Sequence, residues 1–110
     1  MKLSLSQAMG LLPGAVTERY PSGVPSAAVL ARGSVQLKIY APRGRDLQQP
    51  HTRDEWYFVV EGRGVFFNGE HRRAFAPGDC LFAAAGTTHR FEDFTPGFKV
   101  FYGPEGGEPT

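Results

Sequence analysis

The sequence predicts an all-β fold, a closed barrel or jelly roll of seven or eight short antiparallel strands preceded by a short helix. Fourteen glycines and nine prolines are spread along the 110 residues, which is typical of short strands separated by turns. Apolar and polar residues alternate in several of the segments between those turns. A hydrophobic fraction of 41%, with nine Phe, is enough to fill a core. Closure of the sheet would also remove exposed strand edges.

A short helix is predicted near the N-terminus, in an otherwise β-rich chain. Ser4 or Ser6 can cap its first turn with a hydroxyl oxygen. The helix is expected to end at Gly10 or before Pro13, because glycine favours helix ends and proline cannot continue a helix.

The chain is expected to form one domain, because 110 residues are too few for two compact cores. Residues 1–34 are predicted to be a helix and a loop that pack on a barrel formed by residues 35–103. Residues 104–110 are expected to be a C-terminal tail. No internal repeat divides the chain further.

The first clear strand signal is the alternation of apolar residues from Val35 to Ile39. The next run, Trp56–Val60, is apolar on both faces and closes at a glycine-containing turn, residues 61–64. Val65–Phe67 follow directly. This order predicts a hairpin between the two apolar segments.

A second hairpin is predicted at Asn68-Gly69, which is a strong signal for a type I′ turn because both central positions need a positive φ. It would join Val65–Phe67 to a strand that ends at Phe75. Three further strands are expected, separated by glycine- and proline-containing turns: Cys80–Phe82, His89–Phe94 and Phe98–Tyr102.

Charge and composition argue against several classes of partner. The formal net charge is +1 and no long basic cluster is present, so we expect no nucleic-acid partner. No run approaches the about 18 apolar residues that a membrane span needs, so we expect no membrane partner. A single cysteine, Cys80, cannot form an intramolecular disulfide, which favours a reducing compartment, the cytoplasm. This cysteine is expected to be buried and inert.

Few residues are available to build a chemical site, because the chain has three histidines. Gln49 and His51 are two residues apart, so on a strand they would share a face with Cα atoms about 6.6 Å apart. That separation suits two ligands of one ion. Glu55 would lie about 20 Å from Gln49 along an uninterrupted strand, so the chain must turn near Arg53-Asp54 for all three to converge.

Residues 44–62 resemble the first signature of the cupin family, in which a glycine precedes His-x-His, a glutamate and a second glycine. Gln49, His51, Glu55 and Gly62 stand at the matching positions, with glutamine in place of the first histidine. A match to the second signature follows in the right order, with Gly78, Gly86 and His89 matching and Ala84 and Asp93 in place of its proline and asparagine.

The resemblance implies a double-stranded β-helix barrel that holds one divalent transition metal, Zn, Mn, Fe or Ni, near its mouth. The implied ligands are Gln49, His51, Glu55 and His89. Amide oxygen, imidazole and carboxylate form a mixed site that such ions accept. This ligand order is also similar to that of metal-dependent phosphomannose isomerases. The closest overall likeness is to small stand-alone bacterial cupins, which imply no particular activity.

The function expected from this resemblance is chemistry on a small oxygenated molecule, of isomerase, epimerase or lyase type. The ion would polarise a carbonyl or enediolate oxygen while Glu55, Asp93 or Tyr57 moves a proton. Two alternatives stay open. One is a metal-dependent dioxygenase, which Gln49 disfavours because such cupins more often carry the extra histidine. The other is a non-catalytic module that binds a small ligand.

Several residues have plainer interpretations. Arg53 is expected to pair with Asp54 or a surface acid, although it could hold an anionic group at the barrel mouth. His71 is expected to be solvated, and Arg90 to face outward because its parity is opposite to that of His89.

One face of the Trp56–Val60 strand carries Trp56, Phe58 and Val60, which a lone barrel would leave partly exposed. Either the N-terminal segment, with its leucines, folds over this face, or a second copy of the chain covers it. The second alternative, a homodimer, is favoured.

Overall fold

The computed structural model describes residues 2–33, 35–47 and 52–103, and confirms the all-β fold. Over these residues one short helix precedes eight strands. They are α1 (Leu5–Met9), β1 (Ser26–Arg32), β2 (Val35–Tyr40), β3 (Glu55–Glu61), β4 (Gly64–Phe67), β5 (Arg72–Phe75), β6 (Cys80–Ala83), β7 (Arg90–Glu92) and β8 (Lys99–Gly103). None of the helical segments in the described ranges is long and apolar enough to cross a membrane.

The N-terminal helix is closed at both ends by local hydrogen bonds, as the sequence predicts. The Ser4 hydroxyl accepts from the Gln7 backbone N–H at 3.1 Å, and the Gln7 side chain accepts from the Ser4 backbone N–H at 2.8 Å. This reciprocal pair is a capping box. Gly10 is the C-cap.

The strands form two antiparallel sheets. Five strands stand in the order β1-β2-β8-β3-β6, and three stand in the order β5-β4-β7. In the larger sheet Tyr57 pairs with Leu81 on one side and Tyr102 on the other. Tyr57 faces the core, and its neighbours Trp56 and Phe58 therefore face outward.

The hairpin expected between Trp56–Val60 and Val65–Phe67 is not formed. β3 pairs with β6 and β8, whereas β4 pairs with β5 and β7, so the two segments belong to different sheets. The chain crosses between the sheets at Gly62, which has a φ of +93°. A Cβ atom there would lie 2.6 Å from Phe98 Cα, so the crossing needs glycine for both space and backbone conformation.

The hairpin around Asn68-Gly69 is confirmed, but its turn type differs from the prediction. Asn68 N–H donates to the His71 carbonyl at 3.2 Å, so the central residues are Gly69 and Glu70. Gly69 has a φ of +99°, whereas Asn68 is not in the left-handed region. A type I′ turn centred on Asn68 and Gly69 needs a positive φ at both residues, so the predicted turn type is not formed. The turn is shifted by one residue because the Asn68 side chain accepts from the His71 N–H.

Residues 1–34 contribute more than a helix and a loop. β1 pairs with β2 along its length, from Ser26 opposite Tyr40 to Arg32 opposite Val35, with an irregularity between Ala28 and Leu30. The sequence of β1 lacks the apolar alternation that marks β2, and all seven of its residues are exposed or half-buried. The sheet therefore begins at Ser26, nine residues before the predicted barrel boundary.

The core lies between the two sheets and is mostly aromatic. The Tyr57 ring is central to it: it stacks on Tyr102 at 5.5 Å between ring centroids and meets Phe91 edge-on at 5.1 Å. The buried residues of this core are Tyr40, Tyr57, Val59, Phe66, Phe75, Ala83, Phe91, Phe98, Val100 and Tyr102.

The outer face of β3 and β6 carries an exposed aromatic patch. Trp56 is 40% exposed, Phe58 43% and Phe82 57%, and Trp56 is the register partner of Phe82. The N-terminal segment therefore leaves this patch open and does not fold over it. Cys80, opposite Phe58, is also exposed, contrary to the prediction of a buried thiol, because it shares the outward parity of Phe82. The compartment inferred from this cysteine stays a prediction.

Candidate metal centre

Three buried polar side chains meet inside the barrel: Glu55, Tyr57 and His89. The Tyr57 hydroxyl lies 3.1 Å from Glu55 Oε1 and 3.0 Å from His89 Nε2, and the latter two atoms are 3.9 Å apart. Glu55 is 1% exposed, Tyr57 1% and His89 3%. Polar groups buried this deeply are costly unless they bind one another or a ligand, so the cluster is a candidate functional site.

Strand geometry brings these side chains together. Glu55 opens β3 and Tyr57 follows two residues later, so both point inward. The chain bends at Thr52 and Arg53, near the predicted turn, and β3 starts only at Glu55. The side chain of Asp54 accepts from the Ala85 N–H at 2.9 Å, which fixes the start of β3 against the segment after β6.

The orientation of the His89 ring is set by a backbone carbonyl. His89 Nδ1 lies 2.9 Å from the Thr87 carbonyl oxygen, which can only accept, so Nδ1 carries the proton. In the neutral ring Nε2 then presents its lone pair toward Tyr57 and Glu55. A carbonyl holding the second ring nitrogen is the usual arrangement of a histidine that binds a metal.

The environment of Tyr57 keeps its hydroxyl protonated. Burial raises its pKa well above the ordinary value of 10, and the negative charge of Glu55 and the hydrogen bond to it raise the pKa further. Tyr57 is therefore a hydrogen-bond donor. Its single proton faces two acceptors, the Glu55 carboxylate and the His89 lone pair, so it can satisfy only one of them at a time.

Asp46 ties the segment before the site to the second sheet, and sequence reasoning missed it. The Tyr40 hydroxyl donates to Asp46 Oδ1, and the Phe91 N–H donates to Asp46 Oδ2 at 2.7 Å. This carboxylate thus links the end of β2 with β7, two residues beyond His89. A signal existed in the sequence, because an inward tyrosine at a strand end needs a partner for its hydroxyl.

The predicted site residues have different placements. Glu55 and Tyr57 meet His89 in the buried cluster. Asp93 follows the end of β7, is exposed, and has a φ of +50°, so the structure does not bring it to the cluster. Two predicted ligands, Gln49 and His51, lie outside the described residues.

The predictions for Arg53 and His71 can be compared with their contacts in the structure. Of the partners expected for Arg53, which were Asp54 or a surface acid, neither forms an ion pair with it among the described residues. The Asp54 carboxylate accepts from the Ala85 N–H. Arg53 Nε is buried without a hydrogen-bond partner among the described residues. His71 is exposed, as predicted, and lies 3.6 Å from the Glu70 carboxylate.

Arg90 points away from the cluster, as its parity predicts. Its Nε atom donates to Glu92 at 2.8 Å, and its guanidinium lies over the Phe67 ring. This side chain therefore belongs to the outer face of the smaller sheet.

The chain belongs to the cupin family: the family model described as "Cupin domain" matches residues 36–95. Among curated proteins, an uncharacterised protein of Streptomyces coelicolor is 36% identical over 55 residues, which are 50% of this chain and 52% of that protein. The match thus spans about half the length of this relative.

Solved structures support the same fold. A conserved protein of Klebsiella pneumoniae with a double-stranded β-helix domain superposes with a TM-score of 0.66 at 17% identity, covering 92% of this chain and 85% of that one. A candidate mannose-6-phosphate isomerase of Ralstonia eutropha superposes with a TM-score of 0.50 at 23% identity, over 70% and 77% of the two chains. At these identities the likeness concerns the fold.

The donor set of the cluster fits a divalent transition metal. A buried carboxylate is stabilised by a compensating positive charge, which a bound cation can supply. Glu55 oxygen and His89 Nε2 are donors that Zn, Mn, Fe and Ni accept. Within the described ranges no group of three or more His, Cys, Asp or Glu side chains gathers, so Glu55 and His89 are the candidate ligands there.

Proposed function

We propose that this cupin binds one divalent transition metal with Glu55 and His89, and that Gln49 and His51 complete the ligand set. The main support for this proposal is that the buried Glu55 carboxylate lies beside His89, whose Nδ1 is hydrogen-bonded to the Thr87 carbonyl. His89 Nε2 and the Glu55 carboxylate oxygen, 3.9 Å apart, can share one ion after small adjustments.

We infer that the site acts on a small oxygenated molecule by moving a proton, in isomerase, epimerase or lyase chemistry. A bound ion would supply polarisation of a substrate carbonyl oxygen. Glu55 is the buried carboxylate that can accept a proton from the carbon beside that carbonyl and return it to the same or the neighbouring carbon. Tyr57 donates a hydrogen bond that keeps the carboxylate in place. The exposure of Asp93 favours Glu55 and Tyr57 for these roles.

The metal can be tested by elemental analysis of protein purified without an affinity tag, together with His89→Ala. The matched control is His71→Ala, because His71 is exposed and lies on the hairpin between β4 and β5. We expect about one equivalent of metal in the parent protein and in the control, and a loss of at least tenfold in affinity in His89→Ala. Equal metal content in all three proteins would contradict the assignment.

The reaction can be tested by following hydrogen exchange from solvent D₂O into hydroxy-carbonyl compounds. The metal-loaded protein is expected to catalyse exchange at the carbon beside the carbonyl, and Glu55→Gln is expected to abolish it. Tight binding of such compounds without exchange would favour the non-catalytic alternative, and oxygen consumption would favour the dioxygenase.

We also propose that two copies of the chain form a homodimer through the aromatic patch on β3 and β6. Trp56, Phe58 and Phe82 are large, adjacent and 40–57% exposed, which is costly in water. The patch lies on β3 and β6, and β6 forms one edge of the larger sheet. A twofold contact would bring the same patch of each copy together, as in most homodimers.

A further inference from the structure

A groove of about 950 Å³ lies apart from the Glu55–Tyr57–His89 cluster, none of whose members lines it. One wall comes from the N-terminal segment, including Tyr20 and Pro13, and the other comes from residues 41–45 that follow β2. The volume is in the range of small-molecule sites, about 300–1,000 Å³.

Cationic side chains line the groove: Arg19, Arg43, Arg45 and Lys99. No Asp or Glu is among the lining residues, all of which belong to the described part of the chain. Lys99 is bound to Glu61 at 2.9 Å, whereas the ion pairs found between described residues involve none of the three arginines. Arg19 donates to the Leu47 carbonyl at 3.4 Å, at the edge of the same groove. A groove lined by cationic residues without a carboxylate favours an anionic ligand.

Two of these arginines are held in a strained turn. The Arg45 N–H donates to the Arg43 carbonyl at 2.7 Å, and Gly44 between them has a φ of +72°. This γ-turn with a positive central φ is rare. A Cβ atom at Gly44 would meet nothing within 4 Å, so the glycine serves the backbone conformation and not the packing. The turn places two cationic side chains at one rim of the groove.

The opposite wall is preformed by backbone hydrogen bonds. Gly14 N–H donates to the Val24 carbonyl at 2.7 Å, and Val24 N–H donates to the Ala15 carbonyl at 2.8 Å. Gly23 fits so tightly against Pro13 that an added Cβ would lie 2.6 Å from its ring. A wall fixed in this way loses little entropy when a ligand binds.

Apart from Ser22 and the Tyr20 hydroxyl, the side chains in the rest of the lining are apolar and suit a hydrocarbon body. Its apolar members are Met9, Leu12, Pro13, Leu47 and Phe98, with further prolines. We propose that this groove is a second ligand site, which binds a small organic anion: a carboxylate or phosphate group on an apolar body. The anionic group lies between Arg43 and Arg45, and the body lies against the apolar wall.

The test is isothermal titration calorimetry with inorganic phosphate, benzoate and phenyl phosphate. We expect benzoate or phenyl phosphate to bind once per chain and at least tenfold tighter than inorganic phosphate. Arg43→Gln with Arg45→Gln should weaken that binding at least tenfold, because charge-assisted hydrogen bonds are lost. Both arginines are exposed, so the double variant is expected to fold.

Two control proteins distinguish binding in the groove from a general effect of positive charge and from binding at the Glu55–His89 cluster. Arg63→Gln with Arg73→Gln removes the same charge from exposed positions outside the groove and should leave binding unchanged. The His89→Ala variant should also bind the probes in the groove with unchanged affinity. Absence of binding by all three probes, equal binding of phosphate and phenyl phosphate, equal weakening in the charge control, or loss of binding in His89→Ala would each overturn the proposal.

Discussion

The Tyr57 hydroxyl lies 3.0 Å from His89 Nε2, and it is also 3.1 Å from the Glu55 carboxylate. β3 and the segment before β7 thus meet through one oxygen atom in the core. Tyr57→Phe removes this oxygen and leaves both partners buried. We expect the free energy of unfolding to fall by about 1–3 kcal/mol and metal affinity to fall by about 10–100-fold. Urea unfolding and metal titration measure the two effects. Unchanged values in both would show that the contact is incidental.

Asp46 is expected to contribute more to the free energy of unfolding than a carboxylate that accepts a hydrogen bond at an exposed turn. Asp46→Ala removes the acceptor for two buried donors, the Tyr40 hydroxyl and the Phe91 N–H, and should cost about 3 kcal/mol or more. The matched control is Asp79→Ala, whose carboxylate accepts from the Ala76 N–H at an exposed turn and should cost about 1 kcal/mol. Equal losses in denaturant unfolding would contradict this ranking.

The Tyr40–Asp46 pair also predicts a dependence of stability on alkaline pH. Burial, and then the charge of Asp46, raise the pKa of Tyr40 well above its ordinary value of 10. Below pH 10 the group is protonated in both states and its contribution is complete. Above pH 10 the unfolded chain loses this proton while the folded chain keeps it, so the free energy of unfolding falls as pH rises.

Tyr40→Phe should be less stable at neutral pH but should lose less of its remaining stability above pH 10. Urea unfolding at a series of pH values from 8 to 11 measures both slopes. Parallel slopes for the two proteins would show that Tyr40 ionises equally easily in both states.

Much of this fold could be predicted from local patterns, and the part that failed is pairing. The apolar alternation over Val35–Ile39 predicted β2. The Ser4 cap predicted the start of α1. Trp56–Val60 is apolar on both faces, so its sequence does not say which strands it joins, and proximity along the chain favoured the wrong partner. β3 pairs instead with β6 and β8, which come much later in the sequence.

In the candidate site, too, residues marked by local sequence patterns were predicted, whereas residues that depend on distant contacts were not. The spacing of the cupin signatures singled out Glu55 and His89, and the structure brings both into one buried cluster. Asp93 was selected by strand parity, but β7 ends at Glu92 and the backbone turns there. Asp46 escaped selection because its role depends on a backbone N–H of a distant strand.

The crossing between the sheets can be tested by adding one methyl group. Gly62→Ala would place a Cβ atom 2.6 Å from Phe98 Cα at a φ of +93°. We expect a loss of about 2–5 kcal/mol, from backbone strain and overpacking together. Gly97→Ala is the matched control, because its φ is +83° but nothing lies within 4 Å. It should cost about 1–2 kcal/mol. Equal losses in thermal or urea unfolding would show that packing against Phe98 is unimportant.

The aromatic patch predicts the mass of the particle in solution. Light scattering after size exclusion is expected to give twice the 12.0 kDa chain mass for the parent protein. Phe82→Lys should give the single-chain mass, because a charge then lies at the centre of the contact. Val16→Lys, at a position 72% exposed outside the patch, should stay dimeric. A monomer in the parent protein would contradict the proposed dimer.

The proposed function depends on a metal ion beside Glu55 and His89. The most direct measurement is anomalous X-ray diffraction from crystals of the protein loaded with Zn, Mn, Fe or Ni, recorded on both sides of the absorption edge of that metal. We predict one strong anomalous peak within about 2.0–2.2 Å of His89 Nε2 and of a Glu55 carboxylate oxygen. A peak elsewhere, or none in crystals of protein that had been given the metal, would contradict the proposed centre.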